Sequence, residues 1–390
     1  MRWAETRWGG PATALAAILA GAAALRTVGI QYGLPYDNLL NPDEHNIVVR
    51  AWRMVHGGGA DPHFFDYPTL LMYLDAPFQA WQGSPSLLTA RIVGIVLGLA
   101  SIAATWWLAQ RAYGNATAGA VAAAIVAVCT VHVAYSREAV TDVPLTLGIA
   151  ASLALMVTGR IELAGIAAGI ATGFKYPGVF LVVPLVVAAW GQWRRLAVGL
   201  VAMVAAFAAS SPFVLVYFLD LLTIRAHFDR YTLPLIPPLA ALASRFRPLA
   251  PVTLLLLVVP LTWSIRDTKE LTRTDTRVVA ARWVEAHVPA GSEVAVDPSV
   301  PMFPRLRLLP LQLPGPGRDF DPNRDLAKLR RERVRWVVVT GAVADRVFAA
   351  RGRYPRDAAF YDDLRRHAER RYFVDPGDGR AGPWVAVYRL

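Results

Sequence analysis

The sequence predicts a polytopic α-helical membrane protein with a C-terminal extracytoplasmic α/β domain, on three observations. Of its 390 residues, 55% are hydrophobic, and the mean hydropathy of +0.37 is too high for an ordinary soluble fold. Apolar stretches long enough to cross a bilayer recur from Pro11 to about Ile265. Beyond that point Arg, Asp and Pro become frequent and no further span follows, so a domain boundary is expected near Arg266. This gives a membrane domain over 1–265, with a first outer loop over 32–85, and a soluble domain over 266–390.

Taken in order, the candidate spans are residues 11–30, 86–110, 115–133, 139–158, 161–174, 176–192, 195–218, 229–244 and 249–265, about nine crossings. The first follows Arg2 and Arg7 and reads as an uncleaved signal anchor. The run from Ile161 to Gln192 is too long for one perpendicular helix at about 1.5 Å per residue, and GFKYPG interrupts it. With the N-terminus inside, Arg111, Arg160, Arg194 with Arg195, and Arg245 with Arg247 all fall on the cytoplasmic side. Fusing the spans around Lys175 would put the later Arg pairs outside, so parity requires the split.

Two segments of the first outer loop read as interfacial helices rather than spans. Over 43–56, Ile47, Val48, Ala51, Trp52 and Val55 recur at helical spacing opposite Asn46, Arg50 and Arg53. YPTLLMYLDAPFQAW, residues 67–81, is apolar but short, and contains Asp75 and two prolines. In the tail, an amphipathic helix over Arg277 to His287 and apolar strands at EVAV, RWVVV and WVAVY predict a small α/β domain.

This threading sends Asp43, Glu44, His63, Tyr67, the turn YSREAVTD, Lys175 and the HFDRY stretch to the outer face. Ionisable groups at membrane depth cost about 2.5 to 3.5 kcal/mol on insertion scales, so their convergence on one side marks a candidate site. The formal charge of +11 sits largely in Arg-bearing turns and reports orientation in a plasma membrane, not a nucleic-acid partner. The single Cys129 excludes a disulfide framework. HGGG at 56–59 lacks a GxSxG partner and is a turn. His45, His56 and His63 match no closed zinc spacing. No Walker A loop, HExxH or dinucleotide fingerprint is present. Asp142, before Val143-Pro144, reads as a helix cap.

Several ordered blocks resemble the GT-C glycosyltransferases, specifically the family 39 group of protein O-mannosyltransferases and bacterial lipid A aminoarabinose transferases. These are NPDEHNIV after the first span, PHFFDYPTLLMYL, SREAVTDVPL, GFKYPGVFLVVPL, RYTLPLIPPLA, and the tail opening VVAARWVEAHVPAGSEVAV. The resemblance implies transfer of a sugar from a polyprenyl-phosphate carrier to a lipid, glycan or protein acceptor on the outer face, with inversion. The chain is shorter than the family pattern between SSPFVLV and RYTLP, where only YFLDLLTIRAHFD intervenes. A non-catalytic polyprenyl-phosphate-binding or flipping component of envelope assembly is the alternative.

On the transferase reading, Asp43 is the expected general base and the growing phosphate charge needs cations. Arg137, Lys175 and Arg230 are the outer-face candidates, with Tyr231, Tyr67 and His63 as hydrogen-bonding groups. For Arg137 the competing expectation is a salt bridge to Glu138 or Asp142, and for Lys175 a snorkelling helix end. Asn41-Pro42-Asp43-Glu44 reads as a helix start with Glu44 closing a capping box, which assigns Asp43 to the chemistry. No cofactor is required by the sequence, and a divalent metal bridging Asp43 and Glu44 is the lesser alternative.

Overall fold

The computed structural model describes residues 10–36, 40–214, 233–234, 236–244, 255–312 and 320–390. The chain divides into two compact units, one of residues 1–30 and 43–269, the other of residues 31–42 and 270–390. The segment 31–42 thus belongs with the C-terminal residues and not with the rest of the loop that follows the first helix. The basic residues before Pro11, the HFDRY stretch with Arg230 and Tyr231, the shortened join, and the turn carrying Arg245 and Arg247 all lie outside the described residues.

The first unit is a helical bundle. Its helices are α1 (Pro11–Thr27), α2 (Pro42–Arg53), α3 (Leu70–Gln79), α4 (Leu87–Tyr113), α5 (Ala116–Val128), α6 (Thr130–Ser136), α7 (Asp142–Val157), α8 (Ile161–Phe174), α9 (Val182–Ala188), α10 (Trp193–Ser210) and α11 (Ile236–Ala243), followed by a helix over Val258–Glu270. Local chemistry sets several boundaries. Ser86 caps α4 by accepting from the Thr89 N–H, and Gly114 closes it in the left-handed conformation. Asn115, part of a glycosylation sequon by pattern, caps α5 by accepting from the Thr117 N–H.

Among the described residues, α4 and α10 are long and apolar enough to cross a membrane, and α5 with α6 adds a third if their 66° bend is one broken span. The nine crossings expected from hydropathy do not appear as nine long helices among the described residues, and those expected over 229–244 and 249–265 lie partly outside them. The apolar stretches are cut by polar or glycine-rich breaks. α7 begins only at Asp142 and is about 24 Å long, α8 ends before Lys175 after about 21 Å, and a 3-10 turn over Tyr176–Leu181 precedes α9. The interruption at GFKYPG falls where the split was placed. Outward-facing apolar side chains such as Phe180, Trp190, Val187 and Val201 give the unit the surface expected of a bundle in lipid.

α2 and α3 are amphipathic helices, but their apolar faces turn into the unit. Ile47 and Ala51 of α2 pack with Leu71, Met72 and Ala76 of α3 and with Phe174. Only the opposite face of α3 is outward, with Phe78 and, just after it, Trp81 at 84% exposed.

The α8 and α10 contact depends on small residues. A β-carbon on Gly165 would lie 2.0 Å from the Gly199 carbonyl oxygen, and on Gly169 2.2 Å from that of Met203. Glycine every fourth residue lets two backbones touch, the arrangement that holds helices together where burial of apolar surface gives no drive.

In the second unit the helix and three strands expected from the tail are present, within a five-stranded sheet. The strands are β1 (Thr274–Asp275), β2 (Glu293–Val296), β3 (Arg307–Pro310), β4 (Trp336–Thr340), β5 (Glu369–Val374), β6 (Arg380–Ala381) and β7 (Val385–Arg389). The order is β3-β2-β4-β7-β5, with β2 parallel to β3 and β4 and β7 antiparallel to β4 and β5, while β1 and β6 form a separate pair. Val294 and Val338 face the helix Thr276–His287, and Val337 and Val339 face the opposite cluster with Leu364. Strands buried on both faces read as continuous apolar runs, which is the pattern of WVVV. Tyr36 reaches Glu285 at 3.3 Å, fastening the early segment to this unit.

Gly169→Ala should lower the melting temperature of the purified protein, a loss of about 1–3 kcal/mol from overpacking. Gly21→Ala, whose β-carbon meets nothing within 4 Å, should leave it unchanged or slightly raised. Equal melting temperatures for the two variants would refute the close α8–α10 contact.

Candidate functional site

The site begins with a carboxylate that does not reach water. Glu44, in the first turn of α2, is 0% exposed. Arg91, in the first turns of α4, donates from Nε to Glu44 Oε1 at 2.8 Å and from Nη2 to Oε2 at 2.7 Å. The backbone N–H of Ala139 adds a third bond to Oε1 at 3.1 Å, and Arg91 Nη1 donates to the Ile30 carbonyl at 2.8 Å. Glu44 therefore does not act through a capping box as the sequence suggested. It turns inward and clamps α2 to α4 and to the turn between α6 and α7. A bidentate guanidinium pair is the strongest geometry available to it.

That turn is where the expected residues meet. A β-carbon on Gly94 would sit 2.8 Å from the Glu138 carbonyl oxygen, and on Gly98 2.6 Å from Ser136 Oγ, so the glycine face of α4 admits the turn. Arg137, buried, donates from Nη2 to the Leu25 carbonyl at 3.1 Å and to Thr268 Oγ1 at 2.9 Å, while its Nη1 has no hydrogen-bond acceptor. The salt bridge to Glu138 or Asp142 weighed for it is not the contact that holds this guanidinium. Asp142 instead accepts from Lys175 Nζ at 2.6 Å, with both side chains nearly buried. Neither a simple cap nor a snorkelling lysine describes this pair. Thr141 is the residue preceding α7, and Lys175 is held where the chain breaks between α8 and the 3-10 turn.

Tyr67 lies with its ring 6.0 Å from Lys175 Nζ. Its neighbourhood is fixed by Tyr176, which donates to the Phe65 carbonyl at 2.7 Å. Asp43 is half-buried beside Glu44 at the N-terminus of α2. His63 is exposed and pairs locally with Asp61, its ring nitrogen 3.4 Å from Oδ2, so the structure does not draw it into the cluster. Arg230 and Tyr231 lie outside the described residues. No group of three His, Cys, Asp or Glu side chains that could hold a metal occurs among the described residues. Both Glu44 oxygens accept from the Arg91 guanidinium, so a cation bridging Asp43 and Glu44 would have to displace that pair.

Chain direction separates two ends of the bundle. Glu44, Arg91, Arg137, Asp142 and Lys175 gather at one. At the other, Arg195 donates to both oxygens of Glu162, at 2.7 and 2.8 Å, and to the Gly159 carbonyl.

Sequence reasoning missed three buried groups. Arg91 is a cation inside an apolar run, a signal that hydropathy averaging hides. His132 accepts at Nδ1 from Arg26 Nη2 at 2.9 Å, which places its proton on Nε2, 2.7 Å from Ser101 Oγ. Asp75, in α3, accepts from Gln79 at 3.0 Å through Oδ2, and Oδ1 has no donor. Burial pushes its carboxyl up to about 7, only partly opposed by Gln79.

Residues 66–217 match the family described as dolichyl-phosphate-mannose-protein mannosyltransferase. The fold is similar along nearly its whole length to ArnT from Cupriavidus metallidurans in the apo state, with a TM-score of 0.52, 15% identity, and 96% of this chain and 97% of that one covered. The fold is thus that of ArnT, and the stretch 66–217 is similar to the protein mannosyltransferase family. The ArnT structure bound to undecaprenyl phosphate is also similar, with a TM-score of 0.50, 14% identity and the same coverage. No curated protein matches the chain. The matched region holds Tyr67, Arg91, Arg137, Asp142 and Lys175, while Asp43 and Glu44 precede it.

Glu44→Gln and Arg91→Met should each cost about 3–5 kcal/mol in unfolding free energy, because each strands a buried charge or its partner. The double variant should lose clearly less than the sum of the two, and simple additivity in a thermal or denaturant series would sink the pairing.

Asp75 gives a pH signature. Its folded carboxyl keeps a proton that the unfolded chain, with an ordinary value of 3.8, has lost between about pH 4 and 7. Its contribution to stability is therefore fully present below that window and lost as pH rises through it, by up to roughly 4 kcal/mol. Asp75→Asn should melt higher than the parent at pH 8 and close to it at pH 4; a constant difference at both pH values would contradict a protonated buried carboxyl.

Proposed function

We propose that this protein is a multi-pass membrane glycosyltransferase that moves a sugar from a polyprenyl-phosphate-linked donor to a hydroxyl acceptor, with Asp43 as the general base and inversion at the anomeric carbon. The observation that carries the reading is the Glu44–Arg91–Ala139 clamp. It fixes the helix bearing Asp43 against the turn that also carries Arg137 and begins the Asp142–Lys175 pair. An acid and a cation set are thus held at one end of a GT-C bundle. The similar ArnT structure with undecaprenyl phosphate bound supports a lipid phosphate as the carrier.

The acceptor hydroxyl gives its proton to Asp43 as its oxygen attacks C1 of the sugar. The bond between C1 and the phosphate oxygen breaks, and its electron pair leaves with the lipid phosphate. The growing charge requires cations already in place. Arg137 Nη1 is a donor without an acceptor, whereas Lys175 is matched by Asp142 and supplies field and position more than a vacant hydrogen bond. Arg230 and Tyr231 remain candidates for the same phosphate, and Tyr67 for the sugar. Glu44 is a positioning residue here, since its oxygens are already engaged. The site end of the bundle is assigned to the outer face of the plasma membrane, following the Arg-bearing turns Arg111, Arg160 and Arg195 at the opposite end.

Purified protein in detergent, supplied with a polyprenyl-phosphate sugar, should transfer that sugar to an acceptor. Asp43→Asn should lower turnover about 10²–10⁴-fold with an unchanged melting temperature. Full turnover in the folded variant would remove Asp43 as base. Saturable lipid-phosphate binding without any transfer, indifferent to Asp43→Asn, would instead identify a binding or flipping component.

A further inference from the structure

Six cationic side chains are buried among the described residues: Arg26, Arg91, Arg137, Lys175, Arg277 and Arg324. Four of them stand within 3.2 Å of a carboxylate, Arg91 at Glu44, Lys175 at Asp142, Arg277 at Asp275, and Arg324 at Asp297 and Asp357. Arg26 and Arg137 have no such pair. Arg26 commits both terminal nitrogens within the bundle, Nη1 to the Ala22 and Ala127 carbonyls at 3.1 and 3.0 Å and Nη2 to His132. Arg137 is held on one side only. Both protons of its Nη2 are used, by the Leu25 carbonyl at 3.1 Å and by Thr268 Oγ1 at 2.9 Å, and Nε reaches the Val133 carbonyl at 3.4 Å. Its Nη1 is buried with no acceptor. All three acceptors are neutral, and Glu138 and Asp267 act on the charge only from beyond ion-pair range. A buried charge in that condition is costly until an anion completes it.

Thr268 presents one face to this guanidinium. Its hydroxyl proton goes to the Ser264 carbonyl at 2.5 Å, so its oxygen is turned to Arg137 as an acceptor. Ser264 in turn donates to the carbonyl of Val128, the last residue of α5, at 2.9 Å. Arg137 directly follows the short helix α6, and Val128 stands just before it. Ser264 and Thr268, one turn apart on the helix Val258–Glu270, thus hold both ends of α6. A carboxylate at 268 would hold the guanidinium as firmly but cancel its charge, and an apolar side chain would leave the charge without a direction. A hydroxyl supplies direction and leaves the charge.

We infer that Thr268 is a positioning residue: it directs Arg137 Nη1 to the phosphate of the lipid carrier while leaving the guanidinium charge uncancelled, an assignment that rests on the proposed lipid-phosphate donor. Full-length protein in detergent, titrated with undecaprenyl phosphate in the absence of sugar and acceptor, isolates this step from transfer. Thr268→Val keeps the shape and removes the oxygen, so it should weaken binding about tenfold, and Thr268→Ser should restore it. In an Arg137→Met background Thr268→Val should change affinity no further, whereas a merely structural role would subtract again. Thr268→Asp places a carboxylate against the guanidinium and should bind more weakly than the parent, which reports even if the valine variant fails to fold. Parental affinity in folded Thr268→Val or Thr268→Asp, or an equal loss from Thr268→Val in both backgrounds, overturns the positioning role and leaves the transfer reading standing. No saturable binding by the parent overturns both.

Discussion

The bundle depends on one buried ion pair. Glu44 and Arg91 are 47 residues apart, and each alone would be intolerable in an apolar interior. Together they make two parallel bonds, and the Ala139 N–H and the Ile30 carbonyl use further hydrogen-bonding capacity. Such a pair adds little net stability over a well-packed apolar replacement, because desolvation offsets most of the attraction. What it does supply is position. The α2 helix meets the bundle at the one angle and register that bring carboxylate and guanidinium together, so Asp43, one residue earlier, is aimed as a consequence.

The turn between α6 and α7 converts that local clamp into a shared geometry. Ala139 touches Glu44, Arg137 reaches α1 and the helix Val258–Glu270, and Asp142 holds Lys175 at the end of α8. Glycine on α4 makes room for the turn, and the Arg26–His132–Ser101 chain of hydrogen bonds ties α1, α6 and α4 just beneath it. These contacts are polar, buried and mutually oriented. In an apolar bundle such groups are expensive when unmatched, so the network favours one arrangement of the seven helices it joins.

Much of this architecture was legible in the sequence, and the limit falls at a definite place. The 3.6-residue period of Ile47, Val48 and Ala51 marked α2, and Gly, Lys and Pro in GFKYPG marked the break after α8. The apolar runs EVAV, WVVV and VAVY marked strands. What period and mean hydropathy discard is the direction of a single side chain. Arg91 sits in a run apolar enough to read as uninterrupted span, and Glu44 has the spacing of a capping residue, so neither announces that they pair. The glycines every fourth residue in α8 were visible as composition, but their partner on α10 was not. Lys175 and Arg137 were identifiable as charges out of place; their partners came only with the fold. His63 carried the same signal and stands exposed beside Asp61.

The two units treat buried charge by the same rule. In the second unit Asp297 is fully buried, and burial pushes its carboxyl up, yet Arg324, Tyr361 and the Thr340 N–H converge on it. This convergence fixes the loop before the helix Leu326–Arg331, because Arg324 comes from that loop and must point at the sheet. Arg324 Nε also stands 3.2 Å from Asp357 Oδ1, so one guanidinium serves two buried carboxylates and ties the helix Pro355–His367 to the same point. Buried carboxylates in both units are held by a guanidinium whose other donors fix a loop or a helix end, so each pair sets position before it sets stability.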